Sequence, residues 1–371
     1  MKKIGVLLLS GILGLSMTGC SSSALKQPET TAAETKAEAT EATTAAGAET
    51  SAASEAGGEY EQVTIRLAHT SQESDTDPYH YAALQIKSML EERTGGAVTV
   101  EIYPNSQYGN EREMFEGVMM GTVDMAIMTA ANISEFAPAF RAVDLPFIFP
   151  SSEAAWAALD GPAGTAIGDT LKDVGVKGLA WGETGFRQMV TNGHGIKATA
   201  DFNGMKVRSV ENEIYVKAYS AWGANPSPLS WSETLTAFQQ GAIDGFDVPI
   251  SIVYGSSIFD MADYCSLTNQ FYNGQYHVAN LAWFEGLSPE LQELIQEVVK
   301  EAADKERQFL KEQEANWIQG CEEKGMKVVR TEEIDLASFQ DAIKDMYDEY
   351  AKSIGGTYVQ DLMAAASAAA Q

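Results

Sequence analysis

The chain has 371 residues, a formal net charge of −27 and 45% hydrophobic residues. That acidity excludes nucleic acid and anionic membrane surfaces as bulk electrostatic partners, although a desolvated local arginine can still hold a small anion. The length allows two or three domains' worth of chain, and the hydrophobic fraction allows a substantial core.

In residues 1–19, Lys2 and Lys3 precede an apolar run from Ile4 to Met17. This reads as a secretory signal, shorter than the roughly 20 residues of a membrane span. It ends Leu15-Ser16-Met17-Thr18-Gly19-Cys20, small residues before a cysteine that resemble the lipobox of bacterial lipoproteins. The resemblance implies lipidation at Cys20 and attachment to the membrane through that lipid only. Residues 20–58 are mostly Ala, Thr, Glu and Ser, too poor in large apolar groups to offset their ordering entropy. They read as a disordered tether.

The folded part begins near Tyr60. Val63, Ile65 and Leu67 alternate as a strand, with His69 at its end as an edge-facing histidine. Asp77-Pro78 suits the start of a helix with Ala82, Ile86, Met89 and Leu90 on one face, stopping at Gly95-Gly96. A strand at Val98, Val100 and Ile102, a helix over Asn110–Gly121 and a strand over Val123–Met128 follow. Strand–helix alternation of this kind indicates a parallel α/β sheet. The segment Pro138–Pro150 is too proline-rich for regular structure and too apolar for exposure, so it packs on the core or lines a cleft.

Lys177–Trp181 reads as a strand and Gly182-Glu183-Thr184-Gly185 as a turn. A strand over Met205–Val210, a helix over Glu211–Trp222, a capping box at Ser230–Glu233 opening a helix to Gln240, and a strand over Ile243–Val248 come next. The longest periodic segment runs from Pro289 to about Gln319, with Leu291, Leu294, Ile295, Val298 and Ala302 on one face. A strand (Met326–Val329), a helix (Leu336–Ser353) and a fraying alanine-rich tail complete the chain. Cys265 and Cys321 are left as either one disulfide or two buried thiols; no cysteine pair has metal or redox spacing.

Chemistry concentrates between Glu183 and Pro249. Arg187 in Gly-Phe-Arg and Arg208 in Gly-Met-Lys-Val-Arg are always charged yet sit in apolar surroundings, so each needs a carboxylate, either internal or from a ligand. None of the four histidines lies in a metal-ligand spacing, and no nucleophile elbow, phosphate loop or dinucleotide fingerprint is present. The reading is not an enzyme, with no cofactor.

The order Gly-Phe-Arg, Gly-Met-Lys-Val-Arg, Gly-Ala-Asn-Pro, Ala-Phe-Gln-Gln-Gly-Ala-Ile-Asp-Gly resembles the solute-binding proteins of tripartite ATP-independent periplasmic (TRAP) transporters, in the dicarboxylate-binding (DctP) branch. The resemblance covers about residues 60–355. It implies an α/β, two-lobed periplasmic-binding-protein-like fold with a long helix spanning both lobes: lobe I from residues 60–183 plus about 274–313, lobe II from 184–273 plus about 314–355. It implies an extracytoplasmic receptor closing on a small organic acid and delivering it to membrane permease subunits. Arg208 is the expected bidentate partner of the ligand carboxylate, with Arg187 a second donor or a brace. Thr129, Asn110 and Glu73 are further expected contacts, and Trp181 or Trp231 an apolar wall.

The chain departs from the family after Ile-Asp-Gly, where Gln-Glu-Asn-Pro is common and Phe246-Asp247-Val248-Pro249 stands here. Val248 cannot donate as the usual asparagine does. If Phe246 and Val248 line the pocket, an acid with an apolar portion fits. If Asp247 points inward, an amino or hydroxyl group opposite the carboxylate fits. The receptor of an ATP-driven importer and a ligand-sensing lipoprotein are the alternatives.

Overall fold

A computed structural model describes residues 60–370; the signal, Cys20 and the tether lie outside the described residues. The chain opens with β1 (Val63–Ala68), α1 (Pro78–Arg93), β2 (Val98–Tyr103), α2 (Glu111–Met120), β3 (Met125–Thr129) and α3 (Ala130–Ile133). Two helices, α4 (Ser152–Leu159) and α5 (Pro162–Asp169), lead to the 16-residue β4 (Val176–Thr191). Next come β5 (Lys206–Ser209), α6 (Glu213–Ala221), β6 (Asn225–Pro228), α7 (Trp231–Gln239), β7 (Gly245–Pro249) and α8 (Ile250–Gly255). The remainder is β8 (Tyr264–Ser266), β9 (Tyr272–Asn280), α9 (Leu281–Glu285), α10 (Pro289–Glu323), β10 (Lys327–Val329), α11 (Leu336–Ile343), α12 (Met346–Ile354) and α13 (Tyr358–Ala369).

The strands run in the order β2-β1-β3-β9-β4-β7-β5-β6, with β8 pairing β4 and β10. The early strands are parallel, as the strand–helix alternation predicts, but β9 inserts antiparallel to both β3 and β4, making the sheet mixed. The organising strand is β4. Val176–Phe186 pairs with β9 in one sheet, and Arg187–Thr191 pairs with β7 and β8 in the other. Register shifts at Gly178/Ala180 and Glu183/Gly185 let it change direction, and Gly185 adopts φ +98, a conformation that favours glycine. Gly182–Gly185 is therefore not the turn its composition suggests: it lies inside a strand, at a register shift where that strand crosses from one sheet to the other.

The two lobes are joined along α10. Its 35 residues span about 52 Å at 1.5 Å per residue. Leu291, Ile295, Val298 and Ala302 pack with Ile86 and Leu90 of α1, whereas Leu310, Trp317 and Cys321 pack with Phe246 and Val253. Ser288 caps the helix by accepting from the Leu291 N–H, and Asp77 caps α1 by accepting from Tyr79 and His80.

Several other expectations change in detail. The helix predicted over Leu336–Ser353 is two helices, α11 and α12. The alanine-rich end does not fray but forms α13, which buries Val359, Leu362 and Ala366 against α4 and α5. Ser230 precedes α7, yet its hydroxyl donates to the Glu233 carboxylate instead of accepting a backbone N–H. His69 is fully buried beside His80, with ring nitrogens 3.1 Å apart, instead of facing an edge. Cys265 and Cys321 are both buried thiols. Pro138–Ala142 forms a 3-10 turn, and the following Val143, Leu145, Ile148 and Phe149 join the core.

Candidate functional site

The site begins at β5, the strand between β7 and β6. A glycine turn at Gly204 (φ +79) precedes it, and Val207 and Arg208 are both buried, on opposite faces of the strand. Arg208 is 4% exposed, and its only side-chain hydrogen bond within the described residues runs from Nε to the Leu229 carbonyl at 2.9 Å. No carboxylate among the described residues lies within ion-pair distance of it. Burial, and next the charge of Arg187, pull its pKa down to about 10. Both terminal guanidinium nitrogens are left to a cavity whose wall Arg208 helps form.

Arg187 stands two residues beyond the Gly185 bulge and is spent internally. Its Nε donates to Asp247 Oδ2 at 2.8 Å, and Nη2 donates to Asp247 Oδ1 at 3.1 Å and to the Asp247 carbonyl at 2.6 Å. Its Nη1 donates to Asn273 Oδ1 at 2.6 Å. Burial opposes the charge, but Asp247 and the rings of Tyr215 and Tyr219 outweigh it and the pKa rises. The guanidinium also lies over the Tyr215 ring, 5.5 Å from its centre.

Around these arginines the cavity has an apolar wall of Val210, Trp231, Val248, Pro249 and Ile252. Its polar lining comes from Thr70, Ser71, Tyr79, Glu111, Thr129, Asn132, Thr184 and Asn273. Glu111 is buried in the first turn of α2. Its carboxylate accepts from the Thr129 N–H at 3.1 Å, the Thr129 hydroxyl at 2.9 Å and the Asn132 amide. Burial raises its pKa against those donors and the more distant Arg208. Thr129 in turn shares a hydrogen bond of 2.9 Å with the Tyr79 hydroxyl.

Of the residues predicted from sequence, Arg208, Arg187, Thr129, Val248 and Trp231 meet at this cavity. Asn110 lies at an adjoining opening that shares Glu111, Asn132, Arg208 and Trp231, and its side-chain Oδ1 caps α2 by accepting from the Glu113 N–H. The other expected contacts lie away from this cavity. Asp247 is completely buried as the counter-ion of Arg187, with Gln270 Nε2 at 3.4 Å, and does not reach the cavity. Phe246 immediately precedes Asp247 on β7 and packs edge-on against Trp231 and Phe238. Trp181 packs between Phe140 and Tyr276 and donates to the Gly164 carbonyl at 3.3 Å, away from the cavity. Glu73 is exposed in the loop before α1 and is not on the cavity wall.

Sequence reasoning missed Glu111, Tyr79, Asn132, Asn273 and Ile252. Only Glu111 carried a signal: in Asn110-Glu111-Arg112-Glu113 the capping box uses Glu113, which leaves the other first-turn acid without a local task.

Comparison with known proteins identifies the family. The model of the DctP family, described as bacterial extracellular solute-binding protein, family 7, matches residues 68–353. The chain is 32% identical over 278 residues to the 2,3-diketo-L-gulonate-binding periplasmic protein YiaO of Escherichia coli K12, covering 74% of this chain and 84% of that protein. A TRAP periplasmic solute-binding protein from Bordetella bronchispeptica, with density assigned as pantoate, superposes with a TM-score of 0.77 at 31% identity, over 81% of this chain and 99% of that one. Another, from Polaromonas sp. JS666 and bound to D-erythronate, gives a TM-score of 0.77 at 29% identity, over 81% and 98%. With most of the described chain matched and the same fold recovered along it, this protein belongs to the DctP family of bacterial extracellular solute-binding proteins, the solute receptors of TRAP transporters.

Proposed function

We propose that the ligand is a small organic acid whose carboxylate pairs with the two terminal nitrogens of Arg208, and that it is delivered to the permease subunits of a TRAP transporter. The observation that carries this is a buried arginine facing a cavity with no internal carboxylate of its own. An always-charged, planar group left in that condition is complementary to a bidentate carboxylate. Arg187 is a brace, since Asp247 neutralises it.

The wall offers one unpaired cation and also contains a carboxyl group, Glu111. That favours a monocarboxylate over a dicarboxylate. Val210, Val248 and Ile252 favour an acid with an apolar portion. The names of the related proteins, which mention pantoate, D-erythronate and 2,3-diketo-L-gulonate, support a carboxylate-bearing class.

The lobes are residues 60–183 with about 274–313 and residues 184–273 with about 314–355. They close on the ligand by hinge motion along β4 and β9, so that the carboxylate loses water as the arginine contact tightens. Cys20 carries the lipid that holds the receptor at the outer face of the cell membrane.

The test is a thermal-shift screen of refolded protein against hydroxy acids, keto acids, sugar acids, dicarboxylates and amino acids, repeated with Arg208→Ala. A monocarboxylate that stabilises the native protein and loses its effect in the variant is the expected outcome. Stabilisation that survives Arg208→Ala overturns the assignment of the site.

A further inference from the structure

The Arg187 guanidinium has hydrogens to donate and no acceptor, so the atom of Asn273 that faces it at 2.6 Å is the amide oxygen. The Asn273 side chain is thereby fixed in one of its two flips. Its Nδ2 group, with two hydrogens, has no acceptor among the described residues, although Asn273 is only 3% exposed and lies on the cavity wall. Asn273 sits on β9 directly opposite Gly185, at the bulge where β4 leaves one sheet for the other. The donor is therefore held by the backbone that joins the two lobes and is oriented by an ion pair belonging to the second sheet.

Beside it, Val248 contributes only methyl groups to the same wall. The cavity thus has one amide donor without a partner in addition to Arg208.

We propose that Asn273 is a ligand-binding and specificity-determining residue, its amide N–H donating to an oxygen of the bound acid, with Arg187 as the residue that positions it. This rests on the reading of Arg208 as the carboxylate partner. It narrows the ligand to an acid with an oxygen that Arg208 does not saturate, and it gives the Arg187–Asp247 pair a task in recognition. Replacing the amide by a carboxylate keeps the oxygen that Arg187 needs but turns the donor into an acceptor. Asn273→Asp should therefore fold normally and recognise ligand poorly.

The experiment titrates D-erythronate, pantoate, D-glucuronate and succinate by calorimetry into the refolded protein and into Arg208→Ala, Asn273→Asp, Asn273→Ala and Asn273→Asp/Val248→Asn. Thermal midpoints of the ligand-free proteins serve as the folding control. The expected result is a probe whose binding disappears in Arg208→Ala and weakens roughly 10- to 100-fold in both Asn273 variants, as for one hydrogen bond to a charged partner. A new amide at position 248 should recover part of that loss, which a general effect of added negative charge would not allow. Binding lost in Arg208→Ala but within twofold of wild type in both Asn273 single variants overturns this inference and leaves the carboxylate site standing. Failure of all four probes on the wild-type protein overturns both.

Discussion

Arg187 and Asp247 hold each other across β4 and β7, with Nε to Oδ2 at 2.8 Å and Nη2 to Oδ1 at 3.1 Å, both side chains buried. They are diagonal neighbours in the antiparallel ladder, since Arg187 faces Pro249 and Asp247 faces Met189. Breaking such a pair from one side leaves the other charge buried alone, at a cost of about 3–5 kcal/mol. Asp247→Ala should lower stability by that amount in denaturant titration, and Arg187→Met/Asp247→Leu should recover most of it. Equal losses in the single and double variants would show that the pair's charges are not what matters.

Arg208 differs because no internal group compensates it. Its pKa of about 10 reflects a charge held against burial and against Arg187. Removing it should therefore raise the stability of the ligand-free protein while abolishing binding. For Arg208→Met the expected gain is on the order of 3 kcal/mol, taking each pKa unit below the ordinary arginine value as about 1.4 kcal/mol. A variant destabilised by more than about 1 kcal/mol would mean that the guanidinium has an internal structural partner in solution.

How much of this was legible follows the range over which each signal acts. Periodicity and caps are local, so Asp77 before α1 and Ser288 before α10 mark true helix starts. The two arginines were visible because charge in an apolar stretch is itself a local anomaly. Their division of labour was not. It depends on Asp247, which is 60 residues from Arg187, and on Asn273, which is 86 residues away. The same limit explains β4: Gly182 and Gly185 look like punctuation until β9 is seen to pair across them. It also explains α13, whose alanines look featureless until Val359, Leu362 and Ala366 meet α4.

Val248 offers a direct test of ligand polarity. It lines the cavity, whereas its neighbours Phe246 and Asp247 do not. Val248→Asn introduces a donor and an acceptor into an otherwise aliphatic patch with Val210 and Ile252. The variant should weaken acids with an aliphatic portion several-fold and strengthen hydroxylated ones in the same calorimetric panel. An unchanged ranking of acids would show that this wall does not touch the ligand.

Asp144 supplies a pH dependence with a definite sign. Its carboxyl is buried, accepts from the Asn212 amide at 2.8 Å, and is lifted by burial to about 8, against the pull of that donor and of Arg187 and Arg141. In the native state it keeps its proton through neutral pH, whereas the unfolded carboxyl, with the ordinary value of 3.8, does not. The native state then binds more protons between those two values, so this group's contribution to stability falls as pH rises from about 4 to about 8. His69 and His277, both pushed down to about 3 by burial, act oppositely over about pH 3–6.5, so the difference between two proteins is more informative than either curve alone. Asp144→Asn keeps an oxygen for Asn212 and removes the titration. The variant should gain several degrees in thermal midpoint over the wild type at pH 8 and much less at pH 5. Parallel melting curves across that range would place Asp144 at an ordinary carboxylate pKa and remove the argument.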